Sequence, residues 1–213
     1  VTYQIDPLDK NFRKFGMALL EKQRQLFGAH HYYACDPFHE NKPPIKGDKY
    51  LQNVGKAISE MYTAFDSQAV WVMQAWSLRE PIVKAVDKDK LLILDIDGSK
   101  CEKTDGFWGY NFISGTLNNF GDRNTLHGSI DALAENKFME EREKYPNIVG
   151  TGLFMEGIFQ NPLYFDLASD MLTRSDKPEL DSWLKDYARR RYGSDEACLF
   201  EAVKDMHETC YSK

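Results

Sequence analysis

"LLILDID", residues 91–97, decides the fold. Four apolar residues in succession leave no polar side, so the stretch reads as a strand buried on both faces. Strands of that kind belong to parallel sheets covered by helices. Similar runs flank it: "HHYYACDPF" (30–38), "AVWVMQAW" (69–76), "YNFISGTLNNF" (110–120) and "NIVGTGLFME" (147–156). Amphipathic stretches lie between them. Residues 7–27 open on Asp6-Pro7, carry Leu8, Phe12, Phe15, Leu19 and Leu26 at helical spacing, and stop at Gly28. Residues 48–66 set Leu51, Val54, Ile58, Met61 and Phe65 on one side; "EPIVKAV" (80–86) gives a short helix and 125–144 a longer one. Five strands alternating with helices predict an α/β fold of βα units. From residue 163 the pattern turns helical, over 163–174, 177–192 and 195–211.

Composition narrows the function. The chain has 213 residues, 42% hydrophobic and 13% aromatic, enough for a real core, and a net charge of −6. That charge excludes the basic face that nucleic acid or an anionic membrane requires, and no apolar run reaches the roughly 18–20 residues of a membrane span. The chain opens at Val1 without a signal-peptide pattern, so any targeting segment is expected to have been removed or never included. Cys35, Cys101, Cys198 and Cys210 show no metal-binding spacing and read as free buried thiols. No metal or other cofactor is expected. His30-His31 stands at the wrong end of its strand for a site with the acids, and Asp95-Ile96-Asp97-Gly98 lacks the further acids of a calcium loop.

The polar residues fall in a pattern. Each apolar run ends in polar or indole side chains: Asp36 and Glu40, Gln74 and Trp76, Asp95 and Asp97, Asn118 and Asn119, Glu156 and Gln160. Strand C-termini share one face in parallel βα architectures, and chemistry sits there. Glu40 is barred from a helix by Pro37, Pro43 and Pro44, and Glu156 by Gly157. Two glutamates at one end of a sheet suit glycosidic-bond hydrolysis, one donating a proton to the leaving oxygen and one attacking or stabilising the anomeric carbon. Trp71, Trp76, Trp108, Tyr110 and Phe154 are candidate apolar walls. The same acids could instead cap helices or pair with arginines. A glycan-binding protein without activity is the alternative reading.

"ACDPFHENKPP", "AVWVMQAW", "LLILDID", "LNNFG", "GTGLFMEGIFQN" and "YARRRYG" occur in an order that resembles the alpha-N-acetylglucosaminidases, glycoside hydrolase family 89. The resemblance covers nearly the whole chain. It implies removal of terminal alpha-linked N-acetylglucosamine from glycans with retention, by Glu40 as acid/base and Glu156 as nucleophile, their carboxyls about 5–5.5 Å apart. His39, Gln74, Trp76, Asp95 and Asn119 are then the expected sugar ligands. It further implies that residues 1–162 are the C-terminal part, about five βα units, of a (β/α)8 TIM barrel, its fourth to eighth strands. Residues 163–213 would begin an all-helical domain, with the remaining barrel strands coming from a longer chain. Secretion, or a periplasmic or lysosomal location, goes with that family. The chain departs from it at His39, where relatives carry Asn. It departs again at Ser114 and Asn118, where an aromatic and a His are usual; these changes point to an altered subsite or to a related alpha-linked substrate.

Overall fold

Asp9 accepts a hydrogen bond from the Asn11 N–H and so starts α1, Lys10–Phe27, which ends at Gly28. The computed structural model describes residues 5–39, 41–118, 121 and 126–212. After α1 come β1 (Tyr32–Ala34), α2 (Asp48–Phe65), β2 (Val70–Gln74), α3 (Glu80–Val83), β3 (Leu91–Asp95) and β4 (Phe112–Leu117). Then follow α4 (Ile130–Ala134), α5 (Lys137–Lys144), β5 (Ile148–Phe154), α6 (Pro162–Met171), α7 (Leu180–Tyr192) and α8 (Ala197–Cys210). Sheet order is chain order, β1-β2-β3-β4-β5, and the two pairings from β1 to β3 are parallel. The α/β fold predicted from the apolar runs is therefore the one observed. Two compact units divide the chain. The first runs to Asp95 and includes Glu102–Phe112; the second comprises Ile96–Cys101 and the chain from Ile113 onward.

In the first unit α2 covers one face of the sheet. Its Val54 and Ile58 are fully buried, and its Tyr62 ring meets Trp71 of β2 at 6.4 Å between centroids. A Cβ on Gly55 would stand 2.5 Å from the Ile82 carbonyl oxygen, so this glycine allows α3 to lie close against α2. The register Trp71↔Leu91 and Met73↔Ile93 puts these four on the covered face, each 1% exposed or less. Val72, Leu92 and Leu94 point the other way and are half-buried. The run at 91–97 was expected to be buried on both sides; one face is sealed and the other is not.

The second unit has a core of Leu163, Leu167 and Met171 from α6, Leu184 from α7 and Val203 from α8, joined by Ile130 of α4 and Phe138 of α5. The one helix expected over 125–144 is two, because Asn136 adopts a left-handed φ of 55°. Its Oδ1 accepts the Met139 N–H at 3.2 Å, and its Nδ2 donates to the carbonyls of Arg174 and Asp176 at 3.2 and 2.9 Å. Asparagine tolerates this conformation better than other side-chain-bearing residues, and nothing in the pattern of apolar residues reports it. The four cysteines are unbridged; Cys101 is buried as expected, whereas Cys198 is exposed. Among the described residues, no helix is long and apolar enough to cross a membrane.

Two predictions concern these supports. Asn136→Ala takes a donor from the Asp176 carbonyl, leaves the Arg174 carbonyl to Arg142 alone, removes a helix cap and keeps a strained φ. It should destabilise the protein by roughly 2 kcal/mol in a denaturant titration. The other concerns Asp66, ahead of β2. It meets His31 Nδ1 at 2.8 Å and accepts from the Tyr33 hydroxyl at 3.0 Å. Burial alone would raise its carboxyl, but hydrogen bonds from His31, the Gln68 N–H and Tyr33 outweigh burial and hold it below the ordinary 3.8. A depressed carboxylate stabilises the fold above its unfolded value and loses that contribution as pH falls through the folded one. The melting-temperature gap between the protein and Asp66→Asn should be constant from about pH 7 to about pH 5 and narrow below about pH 4.

Candidate active site

Beyond Ala34, β1 runs into a turn fastened at several points within the first unit. The Trp71 Nε1–H donates to the Cys35 carbonyl at 2.7 Å. Continuing the register Ala34↔Val72 by two residues brings Asp36 beside Gln74, whose N–H donates to Asp36 Oδ1 at 2.7 Å. Burial pushes the Asp36 carboxyl above its usual range, and the Gln74 N–H and His39 pull it partly back. Phe38 is 2% exposed and sits at φ 58°, its ring 6.3 Å from that of Tyr50. A bulky residue in left-handed backbone costs on the order of 1–3 kcal/mol and persists where its surroundings enforce it. Past the turn, Arg79 donates to the Asn41 carbonyl at 3.4 Å. Glu40 itself lies outside the described residues, as does Asn119. The residues on both sides of Glu40 are anchored to β2 and the segment after it.

The neighbouring strand ends separate the expected ligands. Gln74 follows Val72 on the open face of the sheet, and Trp76, just beyond, is 49% exposed. His39 is exposed on the turn. Asp95 instead continues Leu91 and Ile93 on the helix-covered face and is 0% exposed, so it has no surface to offer a sugar. Three of the expected aromatic walls are displaced too. Trp71 is 1% exposed and faces α2. Tyr110 and Trp108 precede β4 rather than follow it; the Tyr110 hydroxyl donates to the Val86 carbonyl at 2.9 Å, and Lys88 Nζ donates to the Trp108 carbonyl at 3.1 Å. Side chains ahead of a parallel strand belong to the end opposite the chemistry. The Cys35 thiol is pushed up to about 11 by burial and then by Asp36, which suits packing rather than attack.

In the second unit β5 delivers Glu156. Gly150 and Gly152 face Ile113 of β4, while Thr151 points the other way and donates to the Leu172 carbonyl after α6. Glu156 continues the series of Gly150, Gly152 and Phe154, is exposed, and accepts the Gly121 N–H at 2.5 Å. Gln160 Nε2 donates to the Gly157 carbonyl and closes the turn. Ser114 and Asn118, expected in a subsite, both face helices. The Ser114 hydroxyl donates to Glu141 of α5, a carboxylate also paired with Lys137 at 3.1 Å. Asn118 donates to the His127 carbonyl at 3.1 Å and accepts from Asn161 at 2.7 Å. The alternation of β4 decides this: Phe112, Ser114, Thr116 and Asn118 share the helix side, where Thr116 meets the Tyr164 hydroxyl of α6 at 2.8 Å. The sequence reading missed the roles of Asp36, Arg79 and Asn161. Asn161-Pro162 carries a helix-start signal, but its link to Asn118 has no local signature.

Among the described residues, no group of three or more His, Cys, Asp and Glu side chains could hold a metal ion. In the first unit an amide and an exposed indole, Gln74 and Trp76, stand at the end of β2; in the second, an exposed carboxylate, Glu156, stands beyond β5.

Comparison with known proteins follows the same line. The chain is 32% identical to human alpha-N-acetylglucosaminidase over 209 residues, which cover 90% of this chain and 28% of that one. It superposes on a family 89 glycoside hydrolase from Clostridium perfringens in complex with PUGNAc, with a TM-score of 0.86 and 28% identity, over 99% of this chain and 24% of that one. A doubly Glu-to-Gln-substituted form of a Clostridium perfringens family 89 enzyme, in complex with its substrate GlcNAc-alpha-1,4-galactose, superposes with a TM-score of 0.84 and 26% identity, over 99% of this chain and 24% of that one. The chain thus spans about a quarter of the length of these relatives. The family described as the alpha-N-acetylglucosaminidase (NAGLU) tim-barrel domain matches residues 1–175, and the chain belongs to that family.

Proposed function

We propose that this chain carries both catalytic carboxylates of a retaining exo-glycosidase that removes terminal alpha-linked N-acetylglucosamine from glycans. Glu40 protonates the departing glycosidic oxygen, and Glu156 attacks the anomeric carbon to form a glycosyl-enzyme. Glu40 then takes a proton from water, whose oxygen displaces Glu156. The supporting observation is the setting of Glu156: exposed, just beyond the end of β5, and held by the Gly121 N–H. His39, Gln74, Trp76 and Asn119 are the sugar ligands in this reading; Asp95, sealed under the helices, is structural. No cofactor takes part.

The same reading assigns residues 1–162 to the barrel and 163–213 to the start of a helical domain. The remaining barrel strands come from a longer chain. The open face supports this: Val72, Leu92 and Leu94 are only half-buried, where a closed eight-stranded barrel would cover them with side chains from opposite strands. On α1, Phe15, Leu19 and Leu26 are 62–66% exposed, an apolar stripe suited to a neighbouring βα unit. A secreted, periplasmic or lysosomal location belongs to the same reading.

The test uses the full-length protein and 4-nitrophenyl alpha-N-acetylglucosaminide. Glu40→Gln and Glu156→Gln should each lower kcat by a factor on the order of 10³ or more, and NMR of the first-formed sugar should show the alpha anomer. Sugar binding by all three proteins without turnover would favour the glycan-binding alternative, and a beta product would exclude retention.

A further inference from the structure

We propose that the hydrogen-bonded amide pair Asn118–Asn161 is the brace that positions Glu156 for attack. This rests on the reading of Glu156 as nucleophile. Asn161 occupies the N-cap position of α6, where an asparagine ordinarily spends its side chain on the helix's free N–H groups; here it makes no such bond. Its Nδ2 donates instead to Asn118 Oδ1 at 2.7 Å. Asn118 passes the link on, its Nδ2 donating to the His127 carbonyl at 3.1 Å. The two asparagines are 5% and 1% exposed, so the pair is shielded from competing water.

The brace joins the two segments that hold the carboxylate. Asn118 closes β4, three residues before Gly121, whose N–H the Glu156 carboxylate accepts at 2.5 Å. Asn161 closes the turn that begins at Glu156. One link therefore touches the reacting group, and the other ties the end of β4 to the turn that follows Glu156. Close packing adds to this: a Cβ on Gly128 would stand 2.4 Å from Asn118 Nδ2 and 2.8 Å from the Tyr164 ring, at a φ of 111°. The amide of Asn118 can neither swing nor invert without setting oxygen against oxygen at His127. Neither asparagine touches sugar in this arrangement; both act through Glu156 and are positioning residues.

Direction in the amide chain supplies the test. Asn161→Asp keeps the side chain's shape and sets an acceptor against the Asn118 oxygen. In the full-length protein, assayed at a temperature where the variant is folded, it should lower kcat on 4-nitrophenyl alpha-N-acetylglucosaminide about 10- to 100-fold, with KM within about threefold. Asn118→Ala removes both links of the brace at once and should lower kcat at least as much as Asn161→Asp, again with KM within about threefold. Folded Asn161→Asp with kcat within about twofold of wild type overturns the proposal. So does a loss carried mainly by KM, which would place the pair among the sugar contacts. Glu156→Gln run alongside separates the two ideas. If it retains activity, the nucleophile assignment fails and the brace with it. If it is inactive while Asn161→Asp is not, the brace alone fails.

Discussion

In a parallel sheet with helices sealed on one face, every second side chain is committed to packing and its neighbours face the other way. That alternation sorts the polar residues at the strand ends. Trp71, Met73, Leu91, Ile93 and Asp95 fall on the helix side, while Gln74 falls opposite. On β4 the same rule sends Ser114, Thr116 and Asn118 toward α5 and α6. On β5 it carries Gly150, Gly152 and Phe154 toward Ile113, with Glu156 next in the series. Proximity in sequence to a strand's C-terminus is thus only half of a site assignment; parity along the strand is the other half.

Most of the elements were legible because their signals are local. The apolar runs became β2, β3, β4 and β5, and the three-to-four spacing became α1, α2, α6, α7 and α8 within a few residues at each end. What sequence could not show depends on partners remote in the chain. The Asp36 carboxylate is committed to the Gln74 N–H across two strands, yet from sequence it resembled any other acid at a strand end. Asp95 looked like a ligand because "LLILDID" was read as buried on both faces, which hides the alternation that assigns each residue to a side. Trp108 and Tyr110 looked like pocket walls because the run at 110–120 has no marker for where the strand begins; the structure starts it at Phe112.

Backbone conformation formed a second blind spot. Phe38 and Asn136 both hold positive φ without being glycine, and composition announces neither. Each is compensated by tertiary contacts: Phe38 by burial against Tyr50, Asn136 by hydrogen bonds to Arg174 and Asp176. The strain at Phe38 lies two residues before Glu40. Prolines restrict that turn in the unfolded and folded chain alike, whereas the buried ring fixes it only once α2 has packed. The turn is therefore set by two independent devices, one legible in the sequence and one not.

Three carboxylates differ in how their charge is met. Glu141 is nearly buried, and its charge is met by Lys137 and the Ser114 hydroxyl; removing either would strand a charge in a poorly solvated place. Asp36 is held by a backbone N–H, and burial raises its carboxyl above the usual range, so its oxygen serves the turn. Glu156 is exposed, and its bond from Gly121 comes from backbone, a neutral donor that fixes the oxygen's place. In the proposed mechanism the nucleophile has that combination: a carboxylate held in position by a neutral donor and by a second layer of amides. The polar expense is displaced one layer outward, onto Asn118, His127 and Asn161, where hydrogen bonds can be satisfied without touching the substrate.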